Sequence, residues 1–349
     1  TAGVKVARAV LWGPMLHGRL ITLKHESRCL DGNPLGDPTT REVLAYLPPG
    51  YGEKGARFPT VTLLPGFAAN HRSMLGYKPF EPNTAERFDQ QIVAGESAPA
   101  ILIMPDCTNR WAGSQFVDSA ATGAYQTYLA EEILPVVDQE LDTVPGAEGR
   151  AIAGRSSGGF GALRLAMDRP GTVAAVGFHA GDAGFEVTMR PMLHHAAIAL
   201  ENAGGLEAFA RAVTEKGPQG AFAFDALLVM ACSAAYAPEP DGALPYCQLP
   251  FDPRTAEIVP EGWTRWLAHD PLERPEGLAA AARSLTGLFI DAGNRDEHGL
   301  HFAARRLAEA VQSVNGGVEV HAEEFSGGHR GTSYRYADSL PWLVAKLAA

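Results

Sequence analysis

Short, uninterrupted apolar runs alternate along the first half of the chain with longer stretches whose apolar residues recur at helical spacing. Thr60 to Leu64, Ala100 to Met104, the run opening at Arg150 and Val173 to Phe178 are too short for stable helices and lack the polar alternation of a half-solvated strand, so they predict buried strands. Before them, Arg19 to Glu26 and Glu42 to Leu47 are β-rich, separated by turn-forming Asp31 to Pro38 and closed by Pro48 to Tyr51, a pattern that predicts a hairpin. Tyr125 to Leu141 has helical periodicity with Pro135 expected to kink or divide it, and Gly159 to Met167 follows the third run as a second helix. Strands alternating with helices at this spacing predict a largely parallel sheet covered on both faces, with chemistry gathered at the carboxyl ends of its strands.

The alternation stops at Ala183 and resumes after Leu272. Between them lie helical segments at Met192 to Ala203, Leu206 to Val213, Ala223 to Ala235 and Trp263 to Leu267, with the Pro-rich stretch Ala237 to Pro260 before the last. The expected organisation is a core formed by 1–182 and 273–349, interrupted by a helical cap at 183–272. The second core part predicts a strand at Leu285 to Asp291, a helix at Leu300 to Val311, a strand at Val318 to Phe325 and a closing helix at Ser339 to Leu347. No internal repeat or low-complexity tract interrupts it.

Charge and composition narrow the partners. The 349 residues carry 29 Lys+Arg against 40 Asp+Glu, for a net charge of -11, and the basic residues are scattered singly. That leaves no electrostatic footprint for nucleic acid or an anionic membrane and makes a small molecule the expected partner. The four cysteines lie far apart with no C-x-x-C, which argues against a structural zinc site and a disulfide framework and favours a reducing compartment. No run approaches about 18 apolar residues, and Lys5 and Arg8 interrupt the amino end, so neither a membrane span nor a signal peptide is visible. A cytoplasmic location is expected, with a leader already removed as the open alternative; homo-oligomerisation also stays open. His194 and His195 resemble a metal pair only superficially, since adjacent helical residues point to different faces. No metal is expected.

The candidate chemistry centres on Gly154-Arg155-Ser156-Ser157-Gly158, a G-x-S-x-G nucleophile elbow between a strand and a helix. Glycines flank the serine because a Cβ at either position would collide with the neighbouring strand or helix. A serine hydroxyl is a poor nucleophile at neutral pH and needs a base, itself oriented by a carboxylate. Of eleven histidines, only His329 lies in a Gly-rich loop after the last predicted strand, and Asp296 follows the strand before it. The order Ser156, Asp296, His329 is that of α/β-hydrolases. Pro65-Gly66-Phe67 after the Thr60 strand would supply the Phe67 N–H to an oxyanion hole together with the Ser157 N–H. The polar and aromatic loop Cys107 to Gly123, with Trp111, Gln115 and Asp118, predicts pocket wall, and Trp263, Trp266 and Phe251 of the cap are expected to supply its apolar surface. His179, at a strand end, reads chiefly as a satisfied core residue.

Tyr46-Leu-Pro-Pro-Gly-Tyr51, Leu63-Leu-Pro-Gly-Phe67, Gly154 to Gly159, Gly293-Asn-Arg-Asp-Glu297 and Glu324-Phe-Ser-Gly-Gly-His329 together resemble the Putative esterase family of α/β-hydrolases. That family includes enterochelin-esterase-like proteins, esterase D and S-formylglutathione hydrolases, feruloyl esterases and mycobacterial mycolyltransferases. The resemblance runs from about Cys29 to Leu347. It implies Ser156 as nucleophile, His329 as base, Phe67 and Ser157 as oxyanion donors, and no cofactor. Esterase members place an aspartate where Asp296 stands, whereas mycolyltransferases place a glutamate at the position of Glu297, so Asp296 is the expected acid with Glu297 as the alternative. The expected activity is a serine carboxylesterase acting on a small or medium-sized ester. An acyltransferase using the same residues, or a non-catalytic binding protein on the same fold, are the competing readings.

Overall fold

The computed structural model describes residues 16–77 and 80–348. The amino-terminal stretch read as neither span nor leader lies outside the described residues, as do the first residues of the expected core. Among the described residues ten strands form in chain order: β1 (Arg19–Glu26), β2 (Thr40–Leu47), β3 (Thr60–Leu64), β4 (Ile101–Pro105), the two-residue β5 (Asp118–Ser119) and β6 (Gly123–Ala124), then β7 (Arg150–Arg155), β8 (Ala175–His179), β9 (Gly287–Gly293) and β10 (Glu319–Phe325). Eight of them make one sheet in the order β1-β2-β4-β3-β7-β8-β9-β10, and β5 pairs with β6 in a separate ribbon. The expected hairpin forms, with Arg19 opposite Leu47 and Glu26 opposite Thr40. β2 also pairs antiparallel with β4, and every pair from β4 through β3, β7, β8 and β9 to β10 is parallel.

The burial of each strand explains its pattern. β3, β4, β8 and β9 are buried at every residue because helices cover both faces, which is why they read as continuous apolar runs. The edge strands β1 and β10 alternate exposed with half-buried residues and carry charges that discourage pairing with another chain. One face of the sheet is packed by helices Ser157–Asp168, Pro275–Ser284 and Leu300–Gln312 around Ile152, Val176, Leu288 and Ile290. The other is packed by Thr84–Val93 and Tyr336–Val344 around Val61, Leu63, Leu102 and Ala153.

Periodicity alone does not single out two of the helices. Thr84–Val93 is largely polar, yet Asn83 and Glu86 form a reciprocal capping box at its start. Pro275–Ser284 opens on a proline, whose fixed φ and missing N–H suit a first helical turn. Pro135 acts differently from a simple kink. The helix that begins at Tyr125 widens into a π segment, Tyr128–Ile133, in which the Leu134 N–H reaches back to the Leu129 carbonyl, and Pro135 then opens the regular α segment to Glu140.

Between β8 and β9 the chain builds a helical layer of its own. Helices Leu193–Ala203, Leu206–Lys216, Ala223–Tyr236 and Pro260–Leu267 surround a separate apolar cluster that takes in Phe185, Phe209, Met230 and Trp266 and reaches Phe160 of the helix after the elbow. Ala223–Tyr236 is buried on nearly all sides and forms the axis of this layer. Asp270 ties its two ends together, accepting the Gly184 N–H at 2.8 Å and the Phe185 N–H at 2.6 Å.

Candidate active site

Ser156 stands between β7 and the helix Ser157–Asp168 with φ 57° and ψ -127°, a conformation sparsely populated by residues with a Cβ. Such strain costs on the order of 1–3 kcal/mol and persists only where the surroundings over-determine it. Here the Ser156 N–H donates to the His179 carbonyl at 2.9 Å, and the Ser156 carbonyl accepts from the Phe160 N–H at 3.0 Å. The two glycines of the elbow face one another. A Cβ on Gly154 would lie 2.2 Å from the Gly158 carbonyl carbon, and one on Gly158 would lie 2.1 Å from the Leu64 oxygen at the end of β3. The predicted steric reason for both glycines therefore holds, one against the helix and one against the strand.

His329 lies in the loop after β10 and presents its Nε2 to the Ser156 Oγ at 3.1 Å, while its Nδ1 lies 2.8 Å from the Asp296 Oδ2. The Asp296 side chain is wholly buried, and its Oδ1 accepts the backbone N–H groups of His298 at 2.9 Å and Leu300 at 3.4 Å. Burial works against ionisation of Asp296, but the imidazole and these two amides together hold its carboxyl below the ordinary carboxylate range. Glu297 does not reach the imidazole. Its Oε2 accepts the backbone N–H of His329 at 2.8 Å, an interaction that lowers its own pKa, and its side chain is half exposed. From the other side, Arg155 Nη1 donates to the His329 carbonyl at 3.3 Å and to Thr332 Oγ1 at 3.2 Å. The histidine loop is thus clamped by Glu297 at its amide and Arg155 at its carbonyl.

The loop after β3 closes on the elbow. A Cβ on Gly66 would come within 3.3 Å of the Arg155 oxygen and 3.4 Å of the Ser156 Cβ, so the Phe67 backbone runs alongside the serine. Ser157, the first residue of its helix, has one of the four amides that a helix leaves unpaired at its amino end. Ser156 and His329 open into a cavity of about 400 Å³ walled by Phe67, Met189, Met192, Phe224 and Leu228, the last four contributed by the layer between β8 and β9. Phe67 and Phe224 meet edge to face with centroids 5.6 Å apart.

Six residues expected in the pocket are elsewhere. Trp111 is fully buried in the core of the helical layer; Gln115, also fully buried, donates its side-chain amide to the Cys232 sulfur. Trp263 is buried in the same core and donates its Nε1–H to Glu186 at 2.6 Å. Trp266 and Phe251 pack there too, and Asp118 accepts from Thr127 at a helix start. These side chains instead complete the apolar core between the layer and the sheet, where Trp263 and Trp266 come from one of the layer's own helices and Trp111 from the loop after β4. His179 is a satisfied core residue as expected, with Nδ1 2.7 Å from Asp291 and Nε2 2.8 Å from Ser339 Oγ. The rings of His194 and His195 do not diverge but lie 4.2 Å apart, because His195 is drawn to Asp225 at 2.8 Å and stacks on Phe222. Among the described residues no group of three or more His, Cys, Asp or Glu side chains is placed to hold a metal ion.

Among the pocket residues that sequence reasoning missed are Arg155, His298 and Asp182. The ring of His298 packs edge to face on His329 at 5.0 Å. Asp182 follows β8 in the Gly-rich turn Gly181-Asp-Ala-Gly184, is buried on the pocket wall and accepts the Ser157 Oγ–H at 2.8 Å. Burial pushes its carboxyl up to about 6, against the Ser157 hydrogen bond and the nearby His329 imidazole. A carboxylate just past a strand end was the available signal.

The sheet order, the elbow after β7 and the hydrogen-bonded Ser156, His329 and Asp296 define an α/β-hydrolase fold with a serine-histidine-aspartate arrangement. The chain belongs to the Putative esterase family, whose model matches residues 38–341. An esterase of Mycobacterium tuberculosis is 26% identical over 159 residues, covering 44% of this chain and 32% of that protein. The chain thus spans about a third of the length of the curated relatives it matches. Among solved structures, a fluorophosphonate-binding serine hydrolase of Staphylococcus aureus is 15% identical with a TM-score of 0.57, covering 94% of this chain and 98% of that one. An S-formylglutathione hydrolase of Agrobacterium tumefaciens is 15% identical with a TM-score of 0.56 over 96% and 97%, and a feruloyl esterase module of Clostridium thermocellum 14% identical with 0.55 over 98% and 94%. These likenesses establish the fold. No helix among the described residues is long and apolar enough to cross a membrane.

Proposed function

We propose that the chain is a serine carboxylesterase that cleaves a small or medium-sized ester through an acyl-enzyme on Ser156. The observation that carries this reading is the continuous path from the Ser156 Oγ to His329 at 3.1 Å and on to Asp296 at 2.8 Å, opening into an apolar-walled cavity. Ser156 attacks the ester carbonyl as His329 Nε2 takes its proton, and Asp296 stabilises the imidazolium that results. Charge on the carbonyl oxygen is received by the Phe67 amide of the loop after β3 and the Ser157 amide at the helix amino end. Collapse of this intermediate breaks the bond to the alcohol, which leaves with the proton from His329. Water, deprotonated by the same imidazole, then attacks the acyl-enzyme and releases the acid. The cavity of about 400 Å³ suits an acyl group of modest size.

Covalent labelling by a fluorophosphonate, read by intact mass, tests the nucleophile, and p-nitrophenyl ester hydrolysis tests the reaction. Ser156→Ala is expected to abolish labelling and to lower hydrolysis by about 10³-fold or more with the fold retained. Labelling that survives the substitution, or hydrolysis above about a tenth of the parent rate, refutes the assignment.

A further inference from the structure

A second cavity, of about 290 Å³, borders the first, and Gly66, Arg155 and Gly331 line both. Its chemistry is different. Arg155 and Arg87 stand on its wall, and neither guanidinium forms an ion pair among the described residues. The bonds of Arg155 to the histidine loop both run from Nη1, leaving Nε and Nη2 to face other acceptors. Tyr336, only 4% exposed, lines the cavity with a buried hydroxyl that has no hydrogen-bond partner, and the buried Asn83 Nδ2 on the same wall also has none. Leaving such donors unsatisfied costs on the order of 1–3 kcal/mol each, which an acceptor entering the cavity would recover. Glu81 is the only carboxylate on the wall among the described residues, and it is exposed. In a chain of net charge -11, two guanidinium groups without carboxylate partners and two idle buried donors form a local site for an oxyanion.

The position of the cavity indicates which half of an ester it serves. Gly331 follows His329 in its loop, and Ser333 and Tyr336 come next, in the short turn and at the start of the closing helix. The imidazole must return its proton to the leaving oxygen, so that oxygen lies against this loop, while the acyl chain is better accommodated by Met192, Phe224 and Leu228 in the other cavity. We propose that the Arg87, Arg155 and Tyr336 lobe is a leaving-group subsite for an oxyanion, in the simplest case a carboxylate carried by the alcohol half of the substrate. This rests on Ser156 being the residue acylated.

The test compares two butyrate esters that differ only in the leaving group, 4-hydroxybenzoate and 4-hydroxybenzamide, with parent enzyme, Arg87→Gln and Tyr336→Phe. Differences in intrinsic reactivity between the esters cancel when each variant's preference is divided by the parent's. The parent is expected to favour the carboxylate ester by about tenfold or more in kcat/KM, less so at high salt, and each substitution to cut that preference by about fivefold or more. A parent that does not favour the carboxylate, or a preference unchanged in both variants, overturns the subsite while leaving the esterase reading intact. If neither ester is hydrolysed and Ser156 does not react with a fluorophosphonate, the reading of Ser156 fails and the subsite falls with it.

Discussion

Exchanging Asp296 for asparagine changes one buried atom beside the His329 imidazole and should separate its role cleanly from that of Glu297. In Asp296→Asn, the side-chain oxygen is expected to stay where Oδ1 now accepts the His298 and Leu300 amides, because turning it away would leave two buried N–H groups facing an NH₂. The NH₂ then replaces Oδ2, 2.8 Å from the His329 Nδ1. An amide donor there forces Nδ1 to accept, so the ring proton moves to Nε2 and points at Ser156, where it cannot receive the hydroxyl proton. The expected loss in kcat is about 10⁴-fold, equivalent to about 5 kcal/mol of transition-state stabilisation. Glu297→Gln is a milder change. The glutamine oxygen can still accept the His329 amide, and the lost charge belongs to a side chain that is 48% exposed, so kcat/KM should remain within about tenfold of the parent. Steady-state hydrolysis of p-nitrophenyl butyrate, with thermal melts to establish that both variants fold, measures the two effects. Because Asp296 is held below the ordinary carboxylate pKa of about 3.9, its ionisation should not shape the parent's pH profile above about pH 4. A larger loss in Glu297→Gln than in Asp296→Asn would refute the assignment of the acid, and so would an Asp296→Asn enzyme within about tenfold of the parent.

Asp182, whose carboxyl is raised to about 6, binds a proton in the native state that the unfolded chain has already lost, so its contribution to stability is full below about pH 4 and disappears as pH rises through about 6. Asp182→Asn should therefore gain stability over the parent between about pH 4 and pH 8, by on the order of 2–3 kcal/mol, and a urea-unfolding difference that does not change with pH would show that the buried carboxyl is not the cause. Phe224→Ala and Met192→Ala enlarge the cavity beside Ser156 without touching the elbow, so, if it takes the acyl chain as proposed, they should shift kcat/KM unevenly across p-nitrophenyl ester chain lengths, by about 1–3 kcal/mol for each methylene that the cavity buries or ceases to bury. Labelling by a small fluorophosphonate should proceed at the parent rate in both, and if labelling slows as much as long-chain hydrolysis, these residues support the elbow rather than shape the pocket.

The sheet and the order of the chemistry follow from local pattern. Strands buried on both faces must be apolar throughout, so β3, β4, β8 and β9 are readable to within a residue or two. The elbow is legible because Gly154 and Gly158 answer a steric demand that one short turn between strand and helix always makes. What a short pattern cannot carry is direction. Asp296 and Glu297 are adjacent, and only the turn between β9 and the following helix decides that one carboxylate reaches the imidazole while the other takes a backbone amide. Trp111, Gln115 and Trp263 look like pocket wall in the sequence because aromatic and polar residues near a cleft suit a ligand equally well, yet packing of the helical layer buries all three in its core. Conversely, Asp182 and Arg155 become part of the pocket only when β7, β8 and the His329 loop come together, since a carboxylate or guanidinium acquires its neighbours, and hence its pKa and its role, from residues distant in sequence.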